Sequence, residues 1–229
     1  MLPSLCVLFA FAAGVHTADD TARLAESLTA AAKAFLAAAP HFSAEENMRY
    51  RKAAGGDKWD TAQAVSEYRF DIGPQGVHES RKVLRSSRDK DLKPTINDAG
   101  QLLLLFGPST IARYTFVKDR TAYDGPQSAV VYRYEQVEGP ETVTIQERQK
   151  KFRQQTHGEV WVDASTYRLL RVTLDAERRG DIRDHAEVDY VYGPDGAPMP
   201  VSALHREFHS DVVAAETLFT YRPLTVAIR

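Results

Sequence analysis

The sequence has very little cysteine, since Cys6 is the only one among 229 residues. Without a second thiol the chain forms no internal disulfide, and the Cys-x-x-Cys motifs of redox and zinc sites are excluded. Charge of one sign is lacking too, because 29 Lys and Arg are interspersed with 31 Asp and Glu. This balance gives no field that favours nucleic acid, so no nucleic-acid partner is predicted.

Long hydrophobic runs and catalytic motifs are also missing. No apolar stretch reaches the roughly 20 residues of a membrane helix, so no stable membrane span is predicted in the mature chain. The sequence contains no Gly-x-Ser-x-Gly elbow, no His-Glu-x-x-His pair and no phosphate-cradling glycine loop. These absences favour a protein that is not an enzyme and has no cofactor. An enzyme of unrecognised type stays open as an alternative.

The N-terminus has the pattern of an export signal. Residues 1–18 contain no charged side chain, and an apolar run from residue 5 to residue 13 is followed by small residues. Such a run is too short to span a bilayer, which predicts a signal peptide over residues 1–18 and a periplasmic or secreted product. An uncleaved anchor or a truncated gene start remain alternatives. Cys6 is then a small hydrophobic residue of the signal core.

One helix is predicted at the start of the mature chain. Leu24, Leu28 and Phe35 recur at helical spacing in an alanine-rich stretch. Asp19 or Asp20 is predicted to cap this helix, and Pro40 to end it. Because its apolar stripe is narrow and mostly alanine, the helix is expected to lie closely against a sheet.

The rest of the sequence alternates with the period of β-strands. The most informative stretch, residues 158–174, predicts a hairpin in which Val160 and Val162 share one face and Trp161 takes the other. Asp163, Ser165 and Thr166 supply the side-chain oxygens that are typical of a turn. Further strands are predicted at residues 65–72, 77–85, 128–136, 141–152, 186–192, 200–209 and 212–222. Loops are predicted at residues 53–60 and 86–99, whereas residues 102–106 fit a buried strand or a helical turn equally well.

The short turns between these strands predict antiparallel pairing, because parallel strands need long crossovers. Residues 19–229 are therefore interpreted as a single domain of the α+β class, mainly β. The predicted architecture is one curled antiparallel sheet, an incomplete barrel, with the N-terminal helix covering its concave face.

Histidines and carboxylates give no chemical site in this interpretation. His205 and His209 have the spacing of a zinc helix, but on a strand residues four apart are separated by about 13 Å, too far for one ion. No metal site and no catalytic residue is predicted. Glu45, Glu46 and Asp189 are predicted to be solvated, with ordinary acidity.

Aromatic residues at alternating positions give the candidate site. Paired rings on three strands, together with residues of the 158–174 hairpin, are predicted to line an apolar pocket. The predicted ligand-binding residues are Tyr132, Tyr134, Trp161, Leu170, Val172, Tyr190, Tyr192, Phe219 and Tyr221.

Several segments together resemble a known superfamily. They are the hairpin at residues 158–174, the turn at residues 195–200 before two strands ending at residues 219–222, and residues 39–46 after the first helix. The chain is similar to secreted members of the LolA-like outer-membrane lipoprotein-sorting superfamily. The resemblance implies an incomplete barrel with a helical lid that holds acyl chains in its cavity.

The resulting functional hypothesis is a periplasmic carrier that binds a lipid or the acyl chain of an acylated protein. One alternative is a sensor or scaffold of the same fold that binds an envelope protein partner and has no ligand cavity. A second alternative is an unrecognised hydrolase.

Overall fold

The computed structural model describes residues 17–73, 76–87, 102–141, 143–147, 150–178 and 181–224. It begins with helix α1 (Thr17–Ala38), followed by a 3₁₀ turn (Ala39–His41). A second 3₁₀ turn (Ile111–Arg113) precedes the fourth strand. The strands are β1 (Ser43–Ala53), β2 (Trp59–Gly73), β3 (Gly76–Ser86), β4 (Tyr114–Asp124), β5 (Gln127–Gln136), β6 (Val143–Glu147), β7 (Lys150–Gln154), β8 (His157–Asp163), β9 (Leu169–Arg178), β10 (Ile182–Tyr192), β11 (Pro198–His209) and β12 (Val212–Pro223).

Ten strands form one antiparallel sheet in the order β3-β2-β1-β12-β11-β10-β9-β8-β5-β4, and β6 pairs with β7 alone. The sheet does not close, because β3 and β4 remain as its two edges. The predicted fold class, a mainly β open sheet with an N-terminal helix, is confirmed. The sequence did not indicate that β1 pairs with β12, which places these two strands side by side as the third and fourth of the ten.

Helix α1 packs its apolar stripe on the inner face of this sheet. Leu24, Leu28 and Phe35 are fully buried in the core, and the helix contacts strands β4, β9 and β11. The capping prediction was wrong: the helix starts at Thr17, so Asp19 and Asp20 lie in its first turn. There they still favour the helix, because carboxylates near the N-terminus oppose the positive end of its dipole.

Some strand boundaries also differ from the predictions. The single strand predicted at residues 141–152 is the β6–β7 hairpin. The loop predicted at residues 53–60 is shorter, because residue 53 ends β1 and Trp59 begins β2. Residues 102–104 are helical, which resolves that ambiguity. Most of the loop predicted at residues 86–99 lies outside the described residues.

The hairpin at residues 158–174 folds as predicted, although the pairing of its two strands is interrupted between His157 and Val160. The Asp163 carboxylate accepts hydrogen bonds from Ser165 and Thr166 in the turn, and these bonds hold its pKa well below the usual range. At the other end, a Cβ on Gly158 would lie 2.2 Å from the Thr173 carbonyl oxygen. That carbonyl instead accepts a hydrogen bond of 2.7 Å from the Tyr134 hydroxyl. Glycine is required here because two neighbouring strands approach too closely for a side chain.

Candidate functional site

The predicted site residues do not all lie on one surface. Seven of the nine are buried, namely Tyr132, Tyr134, Leu170, Val172, Tyr190, Phe219 and Tyr221. All of these except Leu170 belong to the core cluster on the inner face. Tyr192 is half-buried, and its hydroxyl accepts a hydrogen bond from the Leu169 backbone. Their role in ligand binding stays a prediction.

Trp161 lies on the opposite, outer face, as the alternation of β8 requires. Its indole nitrogen donates to Glu159 at 2.9 Å. The guanidinium groups of Arg120 and Arg171 lie 5.3 and 5.1 Å from the ring centroid. Trp161 thus takes part in a network of charged side chains and does not contact the core cluster.

One part of the interior is apolar and aromatic, and we call it the apolar half. Phe106 packs edge-on against Tyr134 and Tyr114, with ring centroids 5.0 and 5.5 Å apart, and lies 5.8 Å from Phe116. Tyr134 is 2 % exposed. These rings fill the space between β4, β5 and the helical segment at residues 102–104.

The other part of the interior contains buried charge, and we call it the charged half. The Arg81 guanidinium on β3 donates to both oxygens of Glu46 on β1, at 3.0 and 2.9 Å, and to Glu79 at 2.8 Å. Glu46 is fully buried. The side chains of Glu79 and Arg81 are 1 % and 8 % exposed.

Glu46 therefore corrects the prediction that it is a solvated carboxylate of ordinary acidity. Burial raises its pKa, although the neighbouring Arg81 acts in the opposite direction. The Arg81 guanidinium also lies 5.0 Å from the ring centroid of Tyr68.

Tyr167 connects the hairpin to helix α1. Its backbone has a positive φ of 60°, and its carbonyl accepts a hydrogen bond of 2.6 Å from Ser27. Its hydroxyl lies 3.2 Å from both Tyr132 and Asp20, and Arg23 stacks on its ring at 4.0 Å. These contacts fix the first half of α1 over the sheet.

An apolar groove of about 530 Å³ lies where the first half of α1 meets edge strand β4. We call it the α1–β4 groove. It is open to solvent and is lined by Thr21, Ala22, Ala25, Ile111, Ala112, Tyr114 and Phe116. Lys118 and Asp20 form an ion pair of 3.3 Å between the same two elements.

The groove could not be predicted from the sequence because three separate segments build it. The small side chains of Ala22 and Ala25 were the available signal, since alanine on a helix leaves room beside a neighbouring strand. Tyr114 and Phe116 lie outside the strands that were predicted, so their meeting with the helix could not be foreseen.

The histidines and carboxylates do not form a metal-binding group within the described ranges. No group of three metal-binding side chains occurs there, and His205 and His209 lie on strand β11. His185 on β10 bonds Asp175 at 2.9 Å. Hydrogen bonds with Asp175 and Glu187 raise the pKa of His185 to about 9.

Within the part of the chain that is described, no helix has the length and apolarity to cross a membrane. No family model matches this chain, and no curated protein matches it in sequence.

Solved structures do resemble it. An outer membrane lipoprotein-sorting protein domain from Vibrio parahaemolyticus is 13 % identical, with 91 % of this chain and 94 % of that chain covered and a TM-score of 0.45. A LolA superfamily protein from Nitrosomonas europaea is 11 % identical, with coverages of 84 % and 91 % and a TM-score of 0.34. A DUF1329 family protein from Desulfovibrio piger is 9 % identical, with coverages of 91 % and 95 % and a TM-score of 0.45.

The first two descriptions name the superfamily that the sequence resembles. The fold described above follows from its own strand order and register.

Proposed function

We propose that this protein binds a single acyl chain in the α1–β4 groove and acts as a lipid or lipoprotein carrier rather than as an enzyme. The observation that carries the proposal is the groove itself, about 530 Å³ of space with six apolar residues among its seven lining residues. Its volume falls within the roughly 300 to 1,000 Å³ that is usual for small-molecule sites.

The groove is short and single, which sets the size of the occupant. The five residues from Thr21 to Ala25 span about 6 Å of helix, and Tyr114 to Phe116 span about 7 Å of strand. One chain fits this length, whereas two parallel chains need more width.

The predicted ligand-binding residues relate to this groove through the apolar half. Tyr114 and Phe116 form one wall of the groove and also pack on Phe106, which contacts Tyr134. A chain that enters more deeply than the groove floor would meet Tyr134 and then Tyr132. Export with a signal peptide at residues 1–18, a periplasmic location and one domain over residues 19–229 belong to the same proposal.

The decisive experiment fills the groove. We expect the wild-type protein to bind cis-parinaric acid with a dissociation constant on the order of 10 to 100 μM. Ala25→Trp, which places an indole in the groove, is expected to weaken binding at least tenfold. Ala30→Trp is the matched control, because Ala30 is exposed on the same helix and does not line the groove.

Equal binding by the wild-type protein and Ala25→Trp, with both folded by circular dichroism, would contradict this location. The protein-binding alternative would then be favoured, because the predicted pocket residues are packed in a core. One observation keeps the hydrolase alternative: Asp175 lines an open cleft of about 530 Å³ together with His157.

A further inference from the structure

The open sheet ends in two edge strands, β3 and β4. Within the described residues, each of them pairs with a neighbouring strand on one side only. Residues 77–83 of β3 pair with β2 in an unbroken register, so alternate amides and carbonyls of this segment point away from the sheet. We call residues 77–86 the β3 edge. Its main-chain groups can pair with a further strand.

The main chain of the β3 edge is in contact with solvent and is firmly held. The side chains of Glu79 and Arg81 are only 1 % and 8 % exposed, yet both residues are half-buried as a whole. Their remaining exposure therefore lies on main-chain atoms. Arg81 ties the strand to Glu46 on β1, across β2, and a strand that is already ordered loses little entropy when a partner binds. Because Arg81 faces the core, the next residue, Lys82, faces the outer side of the sheet.

A β-bulge at the end of this edge brings two cations to one face. Lys82 lies opposite Glu67 and Arg85 lies opposite Val65, two residues that are two positions apart on β2. Leu84 is the extra residue of the bulge. In a regular strand, residues three positions apart face opposite sides, but the bulge turns Arg85 to the same outer face as Lys82.

These two cations are not compensated. Lys82 and Arg85 are exposed, and within the part of the chain that is described neither forms an ion pair. Glu67, the residue opposite Lys82, bonds an arginine of its own strand instead. The residues between the cations are apolar, and Val83 and Leu84 are 45 % and 53 % exposed. The β3 edge thus combines exposed main chain, two free cations and exposed apolar side chains.

The other edge of the sheet lacks this combination. On β4, Lys118 and Arg120 are paired with Asp20 and Glu159. The register with β5 also shifts between Lys118 and Arg120, in the middle of the strand, and such irregularity protects an edge from further pairing. A second copy of this chain is not complementary to the β3 edge either, because two such edges bring like charges together.

We propose that the β3 edge binds an extended acidic segment of a partner protein, which adds to the sheet as a further strand. Carboxylates at two alternate positions of that segment meet Lys82 and Arg85 on the outer face. The apolar side chain between them faces inward, beside Val83. In strand addition the main-chain hydrogen bonds supply affinity and the side chains supply selectivity. This interaction is independent of the α1–β4 groove and of what the groove binds.

The test uses two synthetic peptides of identical composition. Thr-Val-Glu-Val-Glu-Val-Thr places both glutamates on one face of a strand, whereas Thr-Val-Val-Glu-Glu-Val-Thr places them on opposite faces. Binding of each fluorescein-labelled peptide to the wild-type protein is measured by fluorescence anisotropy. We expect a dissociation constant on the order of 100 μM for the first peptide, and binding at least about fivefold weaker for the second.

Hydrogen exchange and charge variants locate the bound peptide. We expect the first peptide to protect the main-chain amides of residues 77–83 and not those of β4. The double variant Lys82→Gln, Arg85→Gln should bind about fivefold more weakly, because two exposed ion pairs are lost, and high salt should weaken wild-type binding in the same way. Lys118→Gln is the matched control, since it removes an already paired cation from the other edge, and it should bind as the wild type does. Circular dichroism checks that each variant is folded.

Each alternative has its own outcome. Equal binding of the two peptides to the wild-type protein would show charge attraction without strand pairing and would overturn the proposal. Protection of β4 in place of residues 77–83 overturns the location, and unchanged binding by the double variant overturns the acidic character of the partner. Self-association that protects residues 77–83 without peptide would make a second copy the occupant, which also overturns the proposal. So does the absence of binding at about 1 mM peptide.

Discussion

The two halves of the interior are built on opposite principles. The charged half keeps Glu46, Glu79 and Arg81 nearly out of water, with both carboxylates hydrogen-bonded to the Arg81 guanidinium. The apolar half contains packed rings around Phe106 and satisfies its buried tyrosine hydroxyl through Thr173. A buried ion cluster specifies one arrangement and tolerates little change, whereas apolar packing adapts to the shape of what fills it. The solvent-open groove lies beside the apolar half.

The largest effect is expected in the charged half. Arg81→Met leaves Glu46 and Glu79 buried without the guanidinium that holds them together. We expect the free energy of unfolding to fall by about 3 to 5 kcal/mol, measured by urea denaturation. Arg69→Met is the control, because the Arg69 side chain is 60 % exposed in its pair with Glu67, and it should change stability by less than about 1 kcal/mol.

The second prediction tests the backbone of the apolar half. Gly158→Ala forces a methyl group to within 2.2 Å of the Thr173 carbonyl, and the strand pair must move apart. We expect a loss of about 2 to 3 kcal/mol in unfolding free energy. Gly196→Ala is a useful contrast, since nothing lies within 4 Å of its Cβ position and only its positive φ opposes the change. A smaller loss for Gly158→Ala than for Gly196→Ala would contradict the close approach.

The third prediction compares one hydroxyl from each half. The Tyr134 hydroxyl donates to Thr173, whereas the Tyr68 hydroxyl is buried with no hydrogen-bond partner. Tyr134→Phe is expected to destabilise the fold by about 1 to 2 kcal/mol. Tyr68→Phe is expected to be neutral or stabilising, because it removes a buried polar atom that is not satisfied. Equal losses of unfolding free energy in Tyr134→Phe and Tyr68→Phe would contradict this difference between the two halves.

The smallest effect is expected on the outer face, outside both halves. The pKa of His185 is raised to about 9 by Asp175 and Glu187, compared with about 6.5 in an unfolded chain. Its contribution is therefore complete below pH 6.5 and lost as the pH rises through 9. We expect the wild-type protein to lose about 1 kcal/mol more than His185→Gln between pH 6.5 and pH 9.5. Parallel stability curves for the two proteins would show that His185 is not coupled to folding.

The fold could be predicted from local sequence patterns, whereas the features that were missed depend on contacts between residues far apart in sequence. Alternation and turn residues were sufficient to predict the hairpin that turns at Asp163, because Asp163 bonds residues only two and three positions away. Glu46 was misjudged because its partner Arg81 is 35 positions away on the far side of β2. Sequence neighbours alone could not show that this carboxylate faces inward.

The same reason limits the prediction of the site. The aromatic residues were correctly recognised as alternating, but alternation does not tell a packed core from the wall of a pocket. Trp161 follows its own alternation to the outer face, away from the other rings. The groove depends on how α1 crosses the end of β4, and only the assembled fold sets that crossing.

The pairing of β1 with β12 has a consequence for how the chain is made. The Arg222 side chain on β12 donates a hydrogen bond to Glu45 on β1, a residue 177 positions earlier. Strand β1 therefore has both of its neighbouring strands only after β12 has been synthesised. Until then β1 and β11, the two strands that β12 joins, each have an unpaired edge. Contacts this distant in sequence slow folding, and under the export that we propose the chain would stay unfolded longer for its passage through a membrane.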